Sequence, residues 1–163
     1  MKTASEMSSP PRRRRRRGSE LVALDLLEAA LVEFAAHGFD GASTRAIAER
    51  AGAHQPQINY HFASKEQLWQ AAVDHLFGLL STELEPTTPT AASDLDLVEA
   101  FADTIRRFVR FSAARPELHR IMNLGSTAAS ARLAWIVQRH VRRRFDALDL
   151  AWRELRATGA GAE

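Results

Sequence analysis

The sequence predicts an all-α fold, with an N-terminal three-helix unit joined by a long helix to a C-terminal helical domain. Three observations lead there. Apolar residues recur at three- and four-residue spacing, and no stretch shows the alternation of a half-buried strand. Gly and Pro punctuate the periodic segments, at Gly38, Gly52, Pro86, Pro89, Pro116 and Gly125. Residues 41–65, GASTRAIAERAGAHQPQINYHFASK, place two short helices around an Ala-Gly-Ala turn, with a longer helix directly after.

Helix one is predicted over Ser19 to Ala36, with Leu24, Leu27, Leu31 and Phe34 on one face and Gly38 accepting the left-handed backbone of a helix end. Helix two spans Thr44 to Ala51, capped by Ser43 or Thr44. Helix three spans Pro56 to His61, because proline suits a first turn whose N–H has no intrahelical partner. Ser64 and Gln67 form the capping box of helix four, which runs to about Leu84. A loop through Ala92 follows. Leu97, Phe101, Ile105 and Phe108 stripe helix five, from Ser93 to Ala114. Helix six opens at Pro116 and closes at Gly125. Leu133, Val137, Val141 and Leu148 stripe helix seven, from Ser130 to Ala157.

Charge is unevenly spread. Within residues 1–18, Lys2 and the run Arg12, Arg13, Arg14, Arg15, Arg16 and Arg17 face one acid, Glu6. The rest carries fifteen Lys and Arg against nineteen Asp and Glu, so the basic balance comes from the start of the chain. A block of like charges repels itself, and residues 1–18 are predicted to form a disordered arm. The chain has no cysteine, which excludes disulfides and thiolate metal sites and fits a cytoplasmic protein. No run of eighteen apolar residues supplies a membrane span, and Asp25, Glu28 and Glu33 interrupt the one early apolar region.

In the segment 43–62, Ile47, Ala48, Ile58 and Phe62 can turn inward, leaving Arg45, Gln55, Gln57, Asn59, Tyr60 and His61 outside. That is the construction of a helix-turn-helix, whose second helix enters the major groove of DNA. The parts around it are LEAALVEFAAHGF (27–39), STRAIAERAG (43–52), HQPQINYHF (54–62) and SKEQL (64–68). In type and order they resemble the DNA-binding domain of the tetracycline-repressor (TetR) family of transcription regulators. Two positions depart from the usual pattern. His54 stands where Ser or Thr commonly caps the recognition helix, and Asn59 where Tyr is common.

The resemblance implies three units: the arm 1–18, a DNA-binding domain 19–79, and a helical ligand-binding and dimerisation domain 80–163. It implies base reading by Arg45, Gln55, Pro56, Gln57 and Asn59. Phosphate contacts fall to Thr44, Tyr60, His61, Lys65 and the arginines of the arm. In the family, helices four to seven enclose an effector cavity; here Phe77, Leu80, Phe101, Ile105, Phe108, Met122 and Trp135 would line it for an apolar or aromatic molecule. The family's last two helices, which pack against their copies in a second subunit, have no counterpart in this sequence, so a weakened homodimer is expected.

His75, His119 and His140 lack metal-ligand spacing, and no Gly-rich phosphate loop or nucleophile elbow occurs. No metal, cofactor or enzymatic activity is expected. The reading is a repressor released from its DNA operator by a small molecule. The alternative is a truncated helical ligand- or partner-binding protein with vestigial DNA binding.

Overall fold

The structure is a computed structural model that describes the backbone over residues 12–85, 94–124 and 131–142. Every regular element among these residues is a helix: α1 (Arg12–Gly41), α2 (Thr44–Arg50), α3 (Gln55–His61), α4 (Lys65–Glu83), α5 (Asp94–Ala114), α6 (Glu117–Leu124) and α7 (Ala131–Ile136). A π-helical turn, Val137–Val141, continues α7. The all-α prediction holds. The apolar face proposed around Leu148, and helix seven beyond residue 142, lie outside the described residues, as do the side chains of Arg12 to Arg17.

α1 differs from its predicted extent at both ends. It begins at Arg12, so residues 12–18, predicted as part of a disordered arm, are helical backbone. Arginine has high helix propensity, and Pro10 and Pro11 precede the first turn, where proline is tolerated. At the other end, Gly38 has φ 69° and ψ 178°. The positive φ was foreseen, but the ψ is extended rather than left-handed helical. The chain therefore turns sharply into Phe39–Gly41, and Ala42 N–H closes the bend on the Gly38 carbonyl at 3.2 Å.

α1 packs on α2, α4 and α6. Three neighbours widen and rotate its buried arc, which comprises Leu26, Ala29, Ala30, Leu31, Phe34 and Ala35, whereas Leu24, placed on the inner face from periodicity, is 45% exposed. Ile47 and Ala48 of α2, Ile58 of α3, and Leu68, Ala72, Val73 and Leu76 of α4 complete the head's core. Each large side chain here contributes roughly 1.5–3 kcal/mol by leaving water. Leu118, Ile121 and Ile136 extend the same core into α6 and α7. Head and body thus share one apolar interior.

Candidate nucleic-acid interface

The head is assembled by short-range bonds that its sequence encodes. Ser43 caps α2, its Oγ accepting from Ala46 N–H at 3.4 Å. Its own N–H donates to Glu33 Oε1 at 3.2 Å. Glu33 is 6% exposed, and it is the buried charged residue of the described core. A carboxylate at a helix N-terminus meets the positive end of the helix dipole and satisfies a free N–H, so Glu33 ties α1 to the start of α2. The sequence reading took Glu33 only as a break in an apolar run; no local signal links it to Ser43.

The turn between α2 and α3 needs a positive φ, and Gly52 supplies it at 63°. α3 then starts with Gln57 Oε1 accepting from His54 N–H at 2.7 Å. The missing Ser or Thr cap at position 54 is thus offset from the other side of the capping box. Gln57's amide oxygen is committed to this cap, in which its NH₂ group takes no part. Ser64 Oγ accepts from Gln67 N–H at 3.1 Å as predicted, while Gln67 Oε1 reaches Ala63 N–H at 3.1 Å, one residue before the N-cap.

These bonds fix what the head presents. Arg45, Gln55, Pro56, Asn59 and Tyr60 are exposed, and Thr44 and His61 are half-buried. Tyr60 stands 78% exposed beside the His61 ring, whose centroid lies 5.0 Å away. Gly18, Ser19, Glu20 and Val22 of α1 face Gln57, Tyr60 and His61 across an open cleft of about 740 Å³. Lys65 is partly engaged: its Nζ donates to the Asp40 carbonyl at 3.3 Å and sits 5.0 Å from the Phe39 ring centroid. An ammonium has two further N–H groups for a phosphate.

Residues 26–72 match the family of bacterial regulatory proteins, tetR family. Over these residues the head is similar to a TetR-type DNA-binding domain. The chain is similar in fold to a HlyIIR mutant protein carrying a linker with two thrombin sites, at 21% identity and TM-score 0.62, covering 86% of this chain and 74% of that one. It is also similar to SCO4942 of Streptomyces coelicolor, a candidate transcriptional regulator, at 23% identity and TM-score 0.53, covering 79% of this chain and 66% of that one. No curated protein matches the sequence. Together the TetR head and the helical body support a DNA-binding regulator.

The effector cavity drawn from the sequence is corrected in part. Phe101, Ile105 and Phe108 are 63, 47 and 44% exposed, so they form an open face of α5 rather than the wall of an enclosed cavity. The helical period marked the apolar stripe correctly, but among the described residues α5 packs mainly on α4, which leaves that stripe uncovered. Leu80 is buried, and Phe77, Met122 and Trp135 pack against the core. Among the described residues no cluster of three or more metal-ligating side chains forms, and no helix is long and apolar enough to cross a membrane.

The body meets the head through polar contacts that the sequence does not announce. Arg132 Nη2 pairs with Glu66 at 2.9 Å, and its guanidinium lies 3.4 Å from the Phe39 ring centroid. Arg139 holds both oxygens of Asp74 at 2.6 and 2.9 Å, and His140 Nε2 lies 2.9 Å from Asp74 Oδ1. The hydrogen bonds that Arg139 donates to Asp74 raise its pKa above the ordinary arginine value.

Proposed function

We propose that the chain is a TetR-type repressor that binds a two-fold related DNA operator as a dimer and leaves it when a small molecule binds the helical body. The observation that carries this reading is the division of α3. Ile58 anchors it in the core at 2% exposure, while Gln55, Pro56, Asn59 and Tyr60 project to solvent. In this reading Arg45 engages guanine O6 and N7, Gln55 pairs with adenine, and Pro56 presses on a thymine methyl. Asn59 and the free NH₂ of Gln57 add acceptor-directed contacts. Thr44, Tyr60, His61 and Lys65 hold phosphate on either side.

One short recognition helix covers only a few base pairs, so specificity requires two heads on two half-sites. The effector is apolar or aromatic, matching the character of Phe77, Leu80, Met122 and Trp135. The site of action is the cytoplasm, with the DNA.

Low-salt binding to random genomic fragments tests the proposal. Repeated selection should enrich a sequence with two-fold symmetry. Uniform recovery of all fragments would leave a helical protein with only nonspecific charge, and no recovery would mean that the head is vestigial.

A further inference from the structure

The Arg132 guanidinium is wedged between the body and the turn that leads into the DNA-reading helices. It stands 3.4 Å from the Phe39 ring centroid and 5.9 Å from that of Trp69, and pairs with Glu66 at 2.9 Å. Phe39 is the residue directly after Gly38, in the sharp bend by which the end of α1 approaches α2. Its ring stacks on Phe34 of α1 at 5.9 Å with 6° between planes, and meets Trp69 of α4 edge-on at 6.5 Å. Phe39 therefore joins α1, α4 and the approach to α2, and Arg132 is the body's grip on it.

The rest of α7 continues this grip along α4. Arg132, Trp135, Arg139 and His140 meet Glu66, Trp69, Asp74 and Phe77 in rising order. α7 thus runs parallel to α4 and starts beside its N-terminal turn. The π-helical turn Val137–Val141 carries Arg139 and His140, and both address Asp74. Within this series Arg132 is the residue seen against the Phe39 ring, so a sliding or rolling of α7 would act on that bend through Arg132.

We infer that Arg132 is a positioning residue for DNA reading: its contact with Phe39 and Glu66 holds the α1–α2 turn, and through it α2 and α3, in the binding orientation. The inference rests on the DNA-reading role proposed above. A planar cation over an aromatic face is a directional contact, and it strengthens where water is excluded. Lysine keeps the charge opposite Glu66 but not the flat fork over the ring.

The experiment compares the full chain with Arg132→Gln, Arg132→Lys, Phe39→Leu and the double variant Arg132→Gln/Phe39→Leu. Hydrogen exchange is read in α2–α3 and in α6, and affinity for a selected DNA duplex is read alongside. The expected result for Arg132→Gln is faster exchange in α2–α3, unchanged exchange in α6, and roughly tenfold weaker binding. Arg132→Lys should recover only part of both. In the Phe39→Leu background, Arg132→Gln should add little beyond its effect through Glu66. Equal acceleration in α6 and the head would show a merely structural role and overturn the proposal, as would unchanged exchange in α2–α3. If no duplex binds even the unmodified chain, the repressor reading fails, while the exchange data still decide whether Arg132 holds the head.

Discussion

Arg115 forks across both carboxylate oxygens of Glu28, at 2.5 and 2.9 Å. Glu28 belongs to α1 and Arg115 to the bend between α5 and α6, so the pair ties the first helix of the head to the body. His75 of α4 reaches the same carboxylate at 2.9 Å. The Arg115 hydrogen bond, opposed by partial burial and aided by His75, holds the Glu28 pKa down at about 2. The same bond raises that of Arg115.

A glutamate in the unfolded chain titrates near ~4.3, so Glu28 binds its proton more weakly when folded. Its contribution to stability is complete above that pH and is lost as pH falls toward 2. Glu28→Gln should cost about 1 kcal/mol at neutral pH, a modest figure because solvent screens the partly exposed carboxylate. Urea denaturation at pH 7 and pH 3 checks this: the gap between variant and parent should narrow at the lower pH. A constant gap would contradict the assignment.

His140 titrates with the opposite chemistry. Its ring stacks on Phe77, with centroids 4.4 Å apart and 13° between planes, close to Asp74, Arg139 and Trp135. Burial pushes its pKa below the ordinary histidine value, with Asp74 opposing and Arg139 assisting. The unfolded chain therefore takes up the proton more readily, and stability falls as pH drops below about 6.5. His140→Phe keeps the stacked ring and removes the titration. Between pH 7.5 and 5.5 the variant should lose less stability than the parent in chemical denaturation.

Gly38 combines φ 69° with ψ 178°, a region essentially reserved for glycine. A Cβ there would meet no atom within 4 Å, so the whole cost of Gly38→Ala is backbone strain. A loss of roughly 1–3 kcal/mol is expected in thermal or denaturant unfolding. A neutral substitution would mean that the turn into Phe39 relaxes freely.

The head was legible because its signals are local. Ser43, Gly52, Pro56, Ser64 and Gln67 each act within a few residues of their own position, and Ile47, Ala48 and Ile58 repeat at helical spacing. Periodicity also found the apolar stripe of α5, but it cannot tell whether a neighbour covers a stripe, and Phe101, Ile105 and Phe108 are open. Glu33, Glu28 with Arg115, and Phe39 with Arg132 were illegible for a different reason. Their partners lie on other helices, and their side chains read as ordinary solvated charges or core aromatics until packing brings them together.

α1 begins at Arg12, so the arginine run leads in sequence directly into Gly18, Ser19 and Glu20, which border the α1–α3 cleft. Each arginine that neutralises a phosphate releases a counterion on binding. Deleting residues 1–17 should therefore weaken binding to all sequences alike and reduce the log–log salt slope by roughly 0.9 per lost contact. Titrations at several salt concentrations measure it; an unchanged slope would place the arginines away from DNA.

Base reading by Arg45 and Gln55, from the two helix starts they occupy, is the core of the proposed repressor. Its most direct test is quantitative binding of Arg45→Ala and Gln55→Ala to the selected duplex and to single-base variants of it. Each substitution should cost on the order of 1–3 kcal/mol on the parent duplex and relax preference at one base position per half-site. Unchanged affinity and unchanged base preference in both variants would mean that these residues do not read bases.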